Sequence, residues 1–206
     1  AYVSKFAFIK SYIIKRGFLG RQEGYIISLY NAQTTFYKYL KLAYASYASL
    51  SQIGEGKYAN HPEILESHFA FIAARYPTVF PGEKLSSLSV CLTFDDAFFD
   101  FYHLIFPLLQ KYNLKALLAV PTAYILETTS LSNEERLKKD FPSSPIPSPA
   151  FCTWEELNEL SASSLIQIAS HSIHHLPLPA SQIDPERELR ESKKLLETKL
   201  DTPITS

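Results

Sequence analysis

Methionine is absent from all 206 residues, so the initiator is missing from a sequence that begins at Ala1, and no charged-apolar-small signal pattern follows it. Thr202-Pro203-Ile204-Thr205-Ser206 closes the chain just after a helical pattern, where an α/β chain would enter its next strand. Both ends are therefore expected to be cut from a longer polypeptide. Cysteine is scarce. Cys91 and Cys152 are too few and too far apart for a disulfide framework or a zinc ribbon, and they read as two reduced, half-buried thiols. No stretch approaches the run of about 18 apolar residues that a membrane-spanning helix needs. A net charge of -1 gives no reason to expect a nucleic-acid partner.

Proline is missing from residues 1–47, although the chain has 13. That stretch is also short of acid: Glu23 stands alone against Lys5, Lys10, Lys15, Arg16, Arg21, Lys38 and Lys41. Eight of the 13 tyrosines fall there too, so two pieces of different character meet at a linker over 48–57. Phe6, Phe8, Ile9, Tyr12, Ile13 and Ile14 recur at near-helical spacing, and a second helix reads from about Tyr25 to Tyr47. Basic helices with bulky aromatics suit a peripheral membrane surface, and they equally suit packing against protein. Without an export signal, the cytoplasm or the inner-membrane periphery is the expected location.

From His61 the pattern changes. A helix is predicted to Tyr76, with Ile64, Leu65, His68, Phe69, Ile72 and Ala73 on one face. His61 and His68 read as surface or capping residues. Ser87–Phe94 reads as a strand, Phe98–Tyr112 as a helix and Leu114–Val120 as a second strand, giving one βαβ unit. An irregular insertion over 127–150 follows. Thr153 starts a short helix with Glu155 and Glu156 in its first turn, and Leu165–Ser170 is a third strand.

Chemistry gathers at two strand ends. Asp95-Asp96 follows the first strand, where two adjacent carboxylates must be offset by hydrogen bonds, solvent or a cation. One of them could instead N-cap the following helix, and the residues alone leave both readings open. His171-Ser172-Ile173-His174-His175 follows the third strand. Histidines at i and i+4 share a face if a helical turn begins there, and one Asp with two His makes an N,N,O ligand set with open positions for water. Ser172 stands where a zinc protease would need Glu.

Thr93-Phe94-Asp95-Asp96 and His171-Ser172-x-x-His175 resemble the first and second motifs of the polysaccharide deacetylases, the NodB-like carbohydrate esterases, over about residues 58–206. The resemblance implies a partial deformed (β/α) barrel within the α/β class, preceded by the basic aromatic helical appendage. It makes Asp95 the general base and Asp96, His171 and His175 the ligands of a divalent metal, Zn²⁺ first, with Co²⁺ or Ni²⁺ as substitutes. His174 becomes a bystander. An N-acetylated glycan is the implied substrate. The family's later motifs, including its general-acid histidine, would fall after Ser206, so these 206 residues alone are expected to bind Zn²⁺ weakly and not to turn over.

Lys15-Arg16-Gly17-Phe18-Leu19-Gly20, Gly24-Tyr25 and Phe36-Tyr37-Lys38-Tyr39-Leu40-Lys41-Leu42 resemble the C-terminal tail of family-two lipopolysaccharide-core glycosyltransferases. That implies a fusion of a sugar transferase to the deacetylase-like part. The competing reading is a non-catalytic glycan-binding or scaffolding module attached to that transferase.

Overall fold

The structure is a computed structural model that describes residues 62–85, 87–176 and 184–204, together with Lys10. The chain divides into two units, Ala1–Ala45 and Ser46–Ser206, and everything below concerns the second. The expected helical tail over 1–47 and linker over 48–57 lie outside the described residues, as does His61.

Helix α1 (Pro62–Ala73) opens with proline in its first turn, where the missing N–H has no helical partner to lose. Leu65, Phe69 and Ile72 of the expected face are buried, each removing apolar surface worth about 1.5–3 kcal/mol. Ile64 and Ala73 are exposed, which corrects their assignment to that face. Strand β1 (Leu92–Phe94) is shorter than the predicted 87–94, because Val90 instead bridges Thr78 before the chain enters the sheet.

The helix expected over 98–112 is divided into a π-helical turn (Phe101–Ile105) and helix α2 (Phe106–Tyr112). Asn113 ends α2 in the left-handed region, which asparagine tolerates well. Strands β2 (Ala116–Val120) and β3 (Ile166–Ser170) match the two later predictions closely. Between them lie a 3₁₀ turn (Thr122–Tyr124), helix α3 (Asn133–Leu137) and helix α4 (Trp154–Ser161). Helix α5 (Pro185–Leu200) follows β3.

The three strands form one parallel sheet in the order β1-β2-β3, with Leu92 opposite Ala116 and Ala116 opposite Ile166. This is the expected α/β class. Central β2 buries Ala116, Leu118, Ala119 and Val120, as a strand covered on both faces should. Because the strands run the same way, the residues after Phe94, Val120 and Ser170 all emerge at one end of the sheet. Ligand sites of α/β sheets occupy that end.

Candidate metal centre

The loop after β1 delivers Asp95 and Asp96, both half buried. Asp96 (φ 76°) and Ala97 (φ 52°) then take left-handed backbone, an unusual pair of non-glycine residues in that region. The double turn redirects the chain so that residues 97–99 pair with 150–152. Cys152 N–H donates to the Ala97 carbonyl (2.8 Å), Phe99 N–H donates to the Ala150 carbonyl (2.8 Å), and Phe98 bridges Phe151. Asp100 flanks the π-helical turn that follows, without a side-chain cap.

The ladder runs one residue past β3, with the His171 N–H on the Val120 carbonyl at 2.9 Å. No helical turn follows. Ser172 (φ 65°) and His175 (φ 52°) are left-handed instead, and the segment is a folded loop. The histidines nonetheless converge, with ring centroids 4.8 Å apart. His175 Nε2 lies 3.1 Å and His171 Nε2 3.5 Å from Asp96 Oδ1, an oxygen shielded from solvent.

Among the described residues, this is the one cluster of three or more metal-ligating side chains. Tetrahedral zinc holds N and O donors at about 2.0–2.2 Å, which sets the donors about 3.3 Å apart. The observed separations bracket that value, so the three residues fit a divalent ion. Two imidazole nitrogens facing one carboxylate oxygen otherwise need a proton between them to avoid lone-pair repulsion.

Serines and a glutamate hold the histidine loop in shape. Ser172 Oγ accepts the His175 N–H (3.2 Å), while the Ser172 carbonyl accepts from Ser192 Oγ (2.9 Å) and Thr122 N–H (3.2 Å). Ser170 Oγ donates to Ser192 Oγ at 2.8 Å. Glu188 reaches in from the first turns of α5. Its Oε2 accepts the N–H groups of Ile173 (3.1 Å) and His174 (3.0 Å), and its Oε1 pairs with His174 Nδ1 at 2.6 Å. Burial pushes the Glu188 carboxyl up, but the His174 backbone, ring and charge, with the Ile173 N–H, outweigh it and hold its pKa below the ordinary value. His174, expected as a bystander, thus anchors the loop.

Sequence reasoning missed Glu188. The signal was present: Glu188, Ser192, Leu196 and Leu200 form a stripe at four-residue spacing, all buried, that turns polar at its loop-facing end.

The predicted irregular insertion contains α3, and it is tied down. Ser132 and Glu135 close a capping box that the Ser-x-x-Glu spacing had advertised. Buried Arg136 makes a two-pronged pair with Glu156 (2.6 and 2.9 Å) and donates to the carbonyls of Pro149 (3.0 Å) and Phe151 (2.8 Å). Its guanidinium lies 3.5 Å from the Phe99 ring centroid. Glu156 also completes the capping box of α4 at Thr153, where that helix was expected to start.

Tyr124 donates its hydroxyl to the His174 carbonyl (3.1 Å). Burial first, then the negative charge of Asp96, push its pKa up. Asp100 is buried, and burial drives its carboxyl up to about 8. Cys152 is fully buried, deeper than expected, with burial raising its thiol well above the usual range. Cys91 is half buried, and both thiols are free.

The family model described as polysaccharide deacetylase matches residues 82–205. The poly-beta-1,6-N-acetyl-D-glucosamine N-deacetylase of Escherichia coli (strain K12) is 32% identical over 91 residues, which are 44% of this chain and 13% of that protein. The same enzyme of Escherichia coli O157:H7 matches equally. The chain therefore spans a small part of the curated relatives it matches.

Among solved structures, the Streptococcus pyogenes deacetylase PplD in complex with acetate shares the fold. Its TM-score is 0.57 at 22% identity, over 76% of this chain and 65% of that one. IcaB from Ammonifex degensii gives 0.56 at 17% identity, over 74% and 67%. Among the described residues, no helix is long and apolar enough to cross a membrane.

Proposed function

This chain belongs to the polysaccharide deacetylase family, and from that premise we propose that it contributes to metal-dependent removal of N-acetyl groups from an N-acetylhexosamine glycan. The observation that carries the reading is the convergence of Asp96, His171 and His175 from two strand ends onto one point. These three would hold the ion, Zn²⁺ by preference, since two imidazoles and one carboxylate leave positions for water. Bound there, the ion supplies Lewis acidity for activating water and for stabilising the developing oxyanion.

Asp95, one residue before Asp96 on the same loop, is the general base and accepts the proton of the attacking water. The water oxygen bonds to the acetyl carbon, the C–N bond breaks, and the leaving nitrogen takes up a proton. Acetate and a glucosamine-type amine result. Ser172 and Glu188 contribute by fixing the loop between the two histidines. The curated relatives, named as poly-N-acetylglucosamine deacetylases, support a hexosamine substrate. The transferase-like residues 1–47 favour a cell-envelope glycan and a peripheral membrane location.

The test measures zinc binding and acetate release from an N-acetylglucosamine oligosaccharide by the intact protein. Asp95→Asn should keep zinc and lose acetate release by at least about 100-fold, the lower range for a general base. Asp96→Asn and His171→Ala should lose both. Acetate release that survives chelation, or that survives Asp95→Asn, would sink the reading. Oligosaccharide binding without any acetate release would favour the glycan-binding module.

A further inference from the structure

Phe141 lies in the insertion and touches four rings. Its centroid is 5.1 Å from Tyr124, 5.5 Å from Phe151, 5.8 Å from Phe98 and 5.7 Å from His175. Tyr124, Phe151 and Phe98 are buried, and Phe98 and Phe151 stack at 4.7 Å. Phe141 stays open, at 41% exposure, as does its neighbour His175. Part of the ring is pinned by aromatic packing and part is open to solvent, next to a candidate metal-ligating histidine.

The surrounding segment is held in place. Arg136 fixes both α3 and residues 149–151 from a buried position, and the Ser148 N–H donates to the Tyr124 carbonyl at 2.9 Å. An exposed phenylalanine on a firmly anchored segment, beside polar catalytic groups, has the make-up of a binding-site wall, where apolar surface positions what a few polar groups act upon. A pyranose ring offers the matching surface: hydroxyls around its edge and axial C–H groups across its face.

We propose that Phe141 is a stacking platform for the sugar ring that carries, or adjoins, the acetamide group. The proposal rests on the deacetylase reading and assigns the insertion the task of substrate selection. The acetyl group alone gains nothing from the platform; the pyranose does.

The experiment compares the zinc-loaded intact protein with Phe141→Ala and Phe141→Trp on two acetyl donors, an N-acetylglucosamine pentasaccharide and sugar-free 4-nitrophenyl acetate. Phe141→Ala should raise KM for the pentasaccharide roughly 3- to 10-fold, the range of one aromatic stacking contact. Its kcat, zinc affinity and ester hydrolysis should stay within about twofold, and Phe141→Trp should restore KM. An unmoved KM overturns the platform, and so does an equal loss on both donors.

If the wild-type protein releases no acetate, the deacetylase reading fails separately. Calorimetric binding of the pentasaccharide then decides the platform. Weaker binding by Phe141→Ala supports it. Equal binding by the two proteins, or no binding by the wild type, overturns it.

Discussion

A buried carboxylate that accepts three hydrogen bonds from one loop ties that loop's shape to its own ionisation. Glu188 does this for the segment between His171 and His175. Glu188→Gln keeps the size but puts an amide where an acceptor is needed. Zinc affinity should fall by about 10- to 100-fold, as when outer partners of metal ligands are removed, measurable by chelator competition. The folded pKa of Glu188 is lowered, so its stabilising contribution is complete above the ordinary value of 4.5. That contribution is lost as pH falls through the lower folded value. The melting-temperature gap between wild type and Glu188→Gln should therefore close on acidification from pH 6 to about pH 3.

Asp100 behaves oppositely. Its folded pKa is raised to about 8, so the folded state keeps a proton that the unfolded chain releases above the ordinary 3.8. Stability is full below that ordinary value and drains away as pH rises towards 8. Asp100→Asn removes the titration at nearly constant volume. Its melting temperature relative to wild type should climb between pH 5 and pH 8 and level off beyond, and a flat difference would contradict the assignment.

At the scale of elements, the insertion depends on Arg136. Replacing it with methionine removes the fork on Glu156 and two carbonyl contacts, and leaves Glu156 largely buried beside Cys152. Breaking such a pair costs about 3–5 kcal/mol, readable from the denaturant midpoint. Arg136→Lys should also destabilise, because one ammonium cannot make both prongs.

Legibility followed the same divisions. Strands β2 and β3 were readable because fully buried parallel strands appear as short apolar runs, and the α4 start because Thr153 and Glu156 form a local capping signal. The first strand was overread, since Val90 has strand character but pairs with Thr78. The acid pair and the histidines stood out by residue type and by their places after strands, and the family resemblance singled out Asp96, His171 and His175 as the candidate ligands. The way they meet was not legible. Left-handed turns at Asp96, Ala97, Ser172 and His175 are imposed by tertiary pairing with 150–152 and with α5, and no local propensity signals them.

For the molecule as a whole, an ion that binds the candidate centre of the folded chain would be linked to folding. Zinc at a hundredfold its Kd should raise the stability of the intact protein by about 2.7 kcal/mol, seen as a concentration-dependent melting temperature. Chelation should reverse the gain, and Asp96→Asn should abolish it. The sheet order gives this linkage a further meaning. β1 and β3 share no hydrogen bond, because β2 lies between them. An ion gripped by Asp96 from one and by His171 and His175 from the other would act as a reversible staple across the sheet. It would close the long stretch of chain from the first motif to the second in the folded state alone, and unlike a covalent cross-link it would let go when the strands part.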